Sequence, residues 1–195
     1  MTRRRLMLQN LVLGALLGLL AAGCGPSSAK GGKELHELAA AMDRRLQVAG
    51  DVAWAKQASQ APVRDAAREA AVLGRVADLA KEHGADPAAA REFVEAQMAA
   101  SRQWQGELLE RWRAGEPLPP GTAPDMAAEL RPRMDLATRE LIDAWAAWIS
   151  AAGRTRFRAI EAQQILAHLK AAGYSESAAR LACGVVVESG GVLAP

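Results

Sequence analysis

The chain has 195 residues with a formal net charge of +2; half are apolar and 24% charged, the composition of a globular protein long enough for one domain with a real core. Alanine leads with 44 residues, against 11 Val, 4 Ile, 4 Thr, 2 Phe and 1 Tyr. So few β-branched and aromatic residues argue against a sandwich or barrel and predict an all-α fold.

The first 24 residues read as an export signal rather than as part of the fold. Arg3, Arg4 and Arg5 form a basic segment, residues 11–20 an uncharged apolar one, and the small residues Ala21, Ala22 and Gly23 follow. The apolar run is short for a membrane-spanning helix, which needs about 20 residues. The sequence Leu-Ala-Ala-Gly-Cys ending at Cys24 resembles the lipobox of bacterial lipoproteins, which implies lipidation at Cys24 and an exported, periplasmic protein held to the membrane only by that anchor. Cleavage of a plain signal peptide after Ser27-Ser28-Ala29, giving a soluble periplasmic or secreted protein, is the alternative. Losing the three arginines takes the net charge from +2 to −1, so the basic balance belongs to the signal and gives no reason to expect nucleic acid as a partner. Residues 25–32 read as a flexible Gly/Ser tether and residues 33–195 as a single domain. With Cys24 lipidated, Cys183 has no partner for an intrachain disulfide.

About six helices are predicted in chain order, beginning with a long one over residues 33–59 that Pro62 ends. The second covers residues 63–83, before Gly84. Asp86-Pro87 is an N-cap with proline at the first helical position and opens the third, to about residue 113. Residues 115–124 hold four prolines and form a loop. Asp125 caps a short helix, and Pro132 begins another that runs to residue 152, before Gly153. Residues 154–172 and 175–187 complete the bundle, with Val185, Val186 and Val187 ambiguous.

No GxSxG, HExxH, CxxC or Gly-rich phosphate loop is present, so no metal or cofactor is expected. His36, His83 and His168 read as surface or boundary residues, and the tryptophans, with Trp145 and Trp148 at helical spacing, as packing. The informative positions are polar residues on the apolar stripes. In the first helix the stripe is Leu35, Leu38, Met42, Arg45, Ala49, Val52 and Lys56, and eleven residues at ~100° each return Lys56 to the face of Arg45. The second carries Asp65, Glu69, Val72, Val76 and Leu79, with Arg68 beside the line. The third carries Val94, Met98, Ser101, Gln105, Leu108 and Trp112. A buried cation without compensation costs several kcal/mol. Two arrangements supply it: an internal network in which Asp65 and Glu69 neutralise Arg45, Lys56 and Arg68, or a cation-rich cavity that binds an anion, with Arg131 as a fourth cation.

The series Arg45-Leu46-Gln47-Val48-Ala49, Val52-Ala53, Lys56, Asp65-x-x-Arg68-Glu69, Gln97-Met98-x-Ala100-Ser101, Gln105 and Arg131-Pro132 resembles the all-helical (AroQ-type) chorismate mutases. The spacing fits: eleven residues from Arg45 to Lys56, nine to Asp65, three to Arg68, and four from Ser101 to Gln105. The export signal, the long first helix and the extra C-terminal helices resemble the secreted γ subclass. The resemblance implies an isomerase of the shikimate pathway and aromatic amino acid biosynthesis, rearranging chorismate to prephenate without covalent intermediate, metal or cofactor. It further implies that Arg45, Arg68 and Arg131 clamp the two carboxylates with help from Ser101. Lys56 and Gln105 then donate to the ether oxygen, and Glu69 with the backbone near Asp65 holds the ring hydroxyl. In cytosolic relatives a partner subunit supplies one arginine; here Arg131 is the candidate replacement, with Arg133 close by. A homodimer is an expectation from the family. The reading from a different class is a catalytically silent exported lipoprotein bundle that binds an anionic small molecule or a protein partner.

Overall fold

The computed structural model describes residues 27–184. The signal segment, Cys24, and Val185, Val186 and Val187 lie outside the described residues. Among those described, six α-helices form the bundle and no sheet is present: α1 (Ser27–Ser59), α2 (Ala66–Glu82), α3 (Pro87–Arg113), α4 (Arg131–Ala152), α5 (Ala159–Ala171) and α6 (Glu176–Cys183). No helix among them is long and apolar enough to cross a membrane.

The 33-residue α1, about 50 Å long, is the spine against which α3 and α4 pack. It starts at Ser27 instead of residue 33, so most of the expected tether is helical: once a helix is nucleated, each added residue gains a backbone bond. Its end is set by Gln60, in the left-handed region at φ 58°, and by the return of the Ala61 amide to the Lys56 carbonyl at 3.2 Å. Residues 61–65 are non-helical, which moves the start of α2 from the expected residue 63 to Ala66. Asp65 is its N-cap, accepting from the Arg68 amide at 3.0 Å.

Asp86 and Pro87 open α3 as expected, the Asp86 carboxylate accepting from the Ala88 amide. Asp125 caps a π-helical turn, Met126–Leu130, that runs directly into α4, so the two helices expected on either side of Pro132 are continuous. The segment expected to begin α5 at residue 154 is instead a turn. It folds Phe157 onto Trp148, ring centroids 4.5 Å apart, while the Arg158 amide donates to Glu161 at 2.8 Å and starts the helix at Ala159.

The main core lies between α1, α3 and α4. Trp145 and Trp148 are fully buried, Trp145 stacked on Phe93 at 5.6 Å, in agreement with their reading as packing residues. His36 and His83 are exposed and His168 half-buried; His83 sits 2.8 Å from Asp143 on the surface. α6 docks on α3, where Gln97 Nε2 donates to the Ala182 carbonyl at 2.8 Å, and Tyr174, just before it, donates to Asp43 Oδ1 at 2.7 Å. Cys183 is buried, and burial pushes its thiol up to about 12, so it is inert at neutral pH.

Candidate active site

A second, smaller apolar cluster of Val48, Val52, Ala55 and Leu130 floors one end of α1. Above it, α1, the 61–65 segment, α2, α3 and the start of α4 surround a cavity of about 510 Å³. Arg45, Lys56, Asp65, Arg68, Glu69, Ser101, Gln105 and Arg131 all line it.

Arg45 is the deepest cation, 3% exposed. Its Nη1 donates to the Gln97 carbonyl at 3.0 Å and to Ser101 Oγ at 2.7 Å, while its buried Nε has no partner among the described residues. Burial lowers its pKa to about 10, opposed by the nearby Glu69 charge, so it remains cationic at neutral pH. Ser101 uses its own hydrogen on the Gln97 carbonyl, 2.9 Å away.

Toward the C-terminal end of the same stripe, Lys56 Nζ donates to the Val63 carbonyl and to Gln105 Oε1 at 3.1 Å. The non-helical segment before α2 is what turns the Val63 carbonyl inward. Burial lowers the Lys56 pKa, and the charges of Asp65 and Glu69 partly restore it. Because Gln105 accepts through its oxygen, its amide nitrogen is left as a donor beside the ammonium.

The acids are engaged elsewhere than in the expected network. Glu69 pairs with Arg102 at 2.9 Å, Arg68 with Asp135 at 2.5 Å, and Asp65, which lines the cavity but is exposed, caps α2. Among the described residues Arg45, Lys56 and Arg131 form no ion pair. Six cations line the cavity against three acids, an excess suited to a dianion. Arg133 is committed to Asp51 at 2.7 Å on the outside of the bundle, whereas Arg131 faces the cavity. On α3 the apolar stripe closes with buried Leu109 instead of the half-buried Leu108, a rotation of one position toward the helix end.

Arg102 and Asp135 are not legible in the sequence as site residues. Arg102 lies off the α3 stripe beside Ser101, and Asp135 sits on α4, 67 positions from the arginine it meets. Nothing in local spacing marks either.

A family model described as chorismate mutase type II matches residues 36–106, the span from α1 through Gln105. The crystal structure of chorismate mutase from Burkholderia thailandensis is similar over 79% of this chain and 99% of that one, with 35% identity and a TM-score of 0.66. The chain belongs to the type II chorismate mutase family. The secreted chorismate mutase of Mycobacterium tuberculosis is 29% identical over 138 residues, 70% of this chain and 69% of that relative. Chorismate mutase from Burkholderia phymatum, 23% identical over 80% of this chain and 98% of its own, shares the fold with a TM-score of 0.66. In this chorismate mutase the matched span carries seven of the eight expected residues, and Arg131 reaches the cavity from beyond it.

Proposed function

We propose that this chorismate mutase converts chorismate to prephenate in this cavity by restraining the substrate and stabilising charge, with Lys56 and Gln105 as the catalytic pair. The observation that carries the reading is the convergence of the Lys56 ammonium and the Gln105 amide, 3.1 Å apart, in a cationic cavity where no acid neutralises the ammonium directly.

The reaction is a unimolecular [3,3] rearrangement: the ether C–O bond breaks as a C–C bond forms, with negative charge developing on the ether oxygen. Two tasks follow for the protein. It holds a flexible dianion in the chair-like geometry in which the reacting carbons meet, and it places donors where charge grows. Arg45, Arg68 and Arg131 grip the two carboxylates. The unpartnered Nε of Arg45 is a ready donor, and the Ser101 hydroxyl swings its hydrogen from the Gln97 carbonyl to a substrate oxygen. Lys56 and the amide nitrogen of Gln105 donate to the ether oxygen. Glu69 and the backbone beside Asp65 hold the ring hydroxyl. Arg45 and Lys56 are held by hydrogen bonds before substrate arrives, so little reorganisation of these two donors accompanies the bond change.

The reading extends to the γ subclass, with export, lipidation at Cys24 and a site that needs no partner arginine. Its support is the Arg3–Arg4–Arg5 and Cys24 sequence together with Arg131, a cation of this same chain that lines the cavity. The mass of the mature N-terminus distinguishes a lipidated Cys24 from a simple cleavage.

The test is the decay of chorismate's ultraviolet absorbance. The parental protein is expected to show saturable turnover, and Lys56→Ala to lose about 10²–10³ in kcat with little change in melting temperature, as removal of one transition-state donor does elsewhere. A folded Lys56→Ala protein with parental kcat would refute the role of the pair.

A further inference from the structure

Asp135 has two arginine partners, and only one of them is in the cavity. Its Oδ1 accepts from Arg68 Nη2 at 2.5 Å and from Arg75 Nη2 at 3.0 Å. Arg75 stands on α2 two turns beyond Arg68 and does not line the active-site cavity. It lines a separate cleft between α2 and α4 that shares Val72, Asp135 and Thr138 with the cavity. All three groups are partly open to water, with side chains 33%, 43% and 50% exposed for Arg68, Asp135 and Arg75.

A carboxylate paired with one guanidinium makes a neutral unit, which attracts an incoming carboxylate only weakly. With a second guanidinium on the same oxygen the unit carries a net positive charge, and Arg68, anchored through one nitrogen, keeps its other donors for the substrate. We propose that Arg75 and Asp135 are positioning residues for substrate capture: Asp135 orients Arg68, and Arg75 offsets the Asp135 charge so that the anchored Arg68 still attracts the dianion. This rests on the reading of Arg68 as a carboxylate clamp.

Arg75 acts only through Asp135, so the two substitutions are coupled with opposite signs. In Arg75→Ala the Asp135 charge falls wholly on Arg68; KM for chorismate is expected to rise about threefold to tenfold at low ionic strength while kcat stays within about twofold. The increase shrinks as salt is added, since the groups are solvent-accessible. In Arg75→Ala/Asp135→Asn the unbalanced charge is gone while an acceptor for Arg68 remains, and KM is expected to return toward the parental value.

The experiment measures kcat and KM for the parental protein, both single variants and the double variant at low and high salt, with melting temperatures of the same samples. Saturable parental turnover establishes the reaction independently of the outcome for Arg75. A raised KM that salt diminishes and Asp135→Asn rescues supports the proposal. An unchanged KM in Arg75→Ala, a defect that appears only as a lower melting temperature, or a double variant whose defects simply accumulate would overturn it.

Discussion

Replacing Arg45 with methionine separates catalysis from stability in one substitution. The residue is 3% exposed, has no ion pair among the described residues, and has its pKa lowered from the usual guanidinium range to about 10 by burial. At about 1.36 kcal/mol per unit, that shift corresponds to about 3 kcal/mol by which the fold disfavours the charged side chain. The folded-state pKa of this cation lies below its unfolded value, so the destabilisation is fully present below pH 10 and is relieved only as pH rises from there toward the unfolded-state value. Methionine removes the charge and fills much of the same volume. Ser101 Oγ and the Gln97 carbonyl remain bonded to each other at 2.9 Å, so no new orphan group is created. After about 1–2 kcal/mol is deducted for the lost hydrogen bonds, a net gain of about 1–2 kcal/mol remains, or a melting temperature higher by about 2–8 °C. Turnover should move the other way, with kcat/KM falling at least about 10³-fold as a buried charged contact to the substrate is lost. Thermal unfolding followed by far-UV circular dichroism, alongside chorismate decay, reads both quantities. Saturating chorismate is expected to raise the melting temperature of the parental protein and not that of the variant. A variant that is less stable than the parent yet retains its kcat/KM would show Arg45 to be a structural residue and refute the argument.

Three other substitutions or conditions probe the remaining groups. Parental activity should be level from pH 5 to 8 because the Gln105 amide donates at every pH; in Gln105→Glu the donor must be a protonated acid, so kcat should fall as pH rises across that range, and a level profile in the variant would exclude Gln105 as a donor. At the alkaline end, burial lowers the Lys56 pKa in the free protein and a bound dianion raises it again, so the limb of kcat/KM should fall at lower pH than the limb of kcat; the reverse order would contradict the role of Lys56. Arg131→Ala should lower kcat/KM by about 10-fold to 10²-fold, whereas Arg133→Ala, which removes only the exposed pair with Asp51, should stay within about twofold; equal losses would mean the cavity does not distinguish them.

Much of the site is legible in the sequence because helical periodicity is local. Arg45 and Lys56 share a face since eleven residues make nearly three turns, and Ser101 and Gln105 do so because four residues make about one. A polar group recurring on the apolar line of each of three helices is therefore visible as a set of residues that face one space. The helix boundaries that differ from expectation are those where a side chain far along the chain decides. Residues 61–65 leave the helix where the Val63 carbonyl meets Lys56, and residues 154–158 do so where Phe157 covers Trp148.

The helical class, the order of the helices and the identity of most inward polar side chains follow from the amino-acid sequence alone, since each depends on composition and on neighbours within a turn or two. Which charges meet is settled at the level of the packed bundle. Glu69 finds Arg102, Asp135 gathers Arg68 and Arg75, and Arg133 is drawn to Asp51, leaving Arg131 at the cavity. These partners stand on different helices, tens of positions apart, and the rotation and separation of packed helices that bring them within 3 Å are set by the whole core rather than by any local pattern.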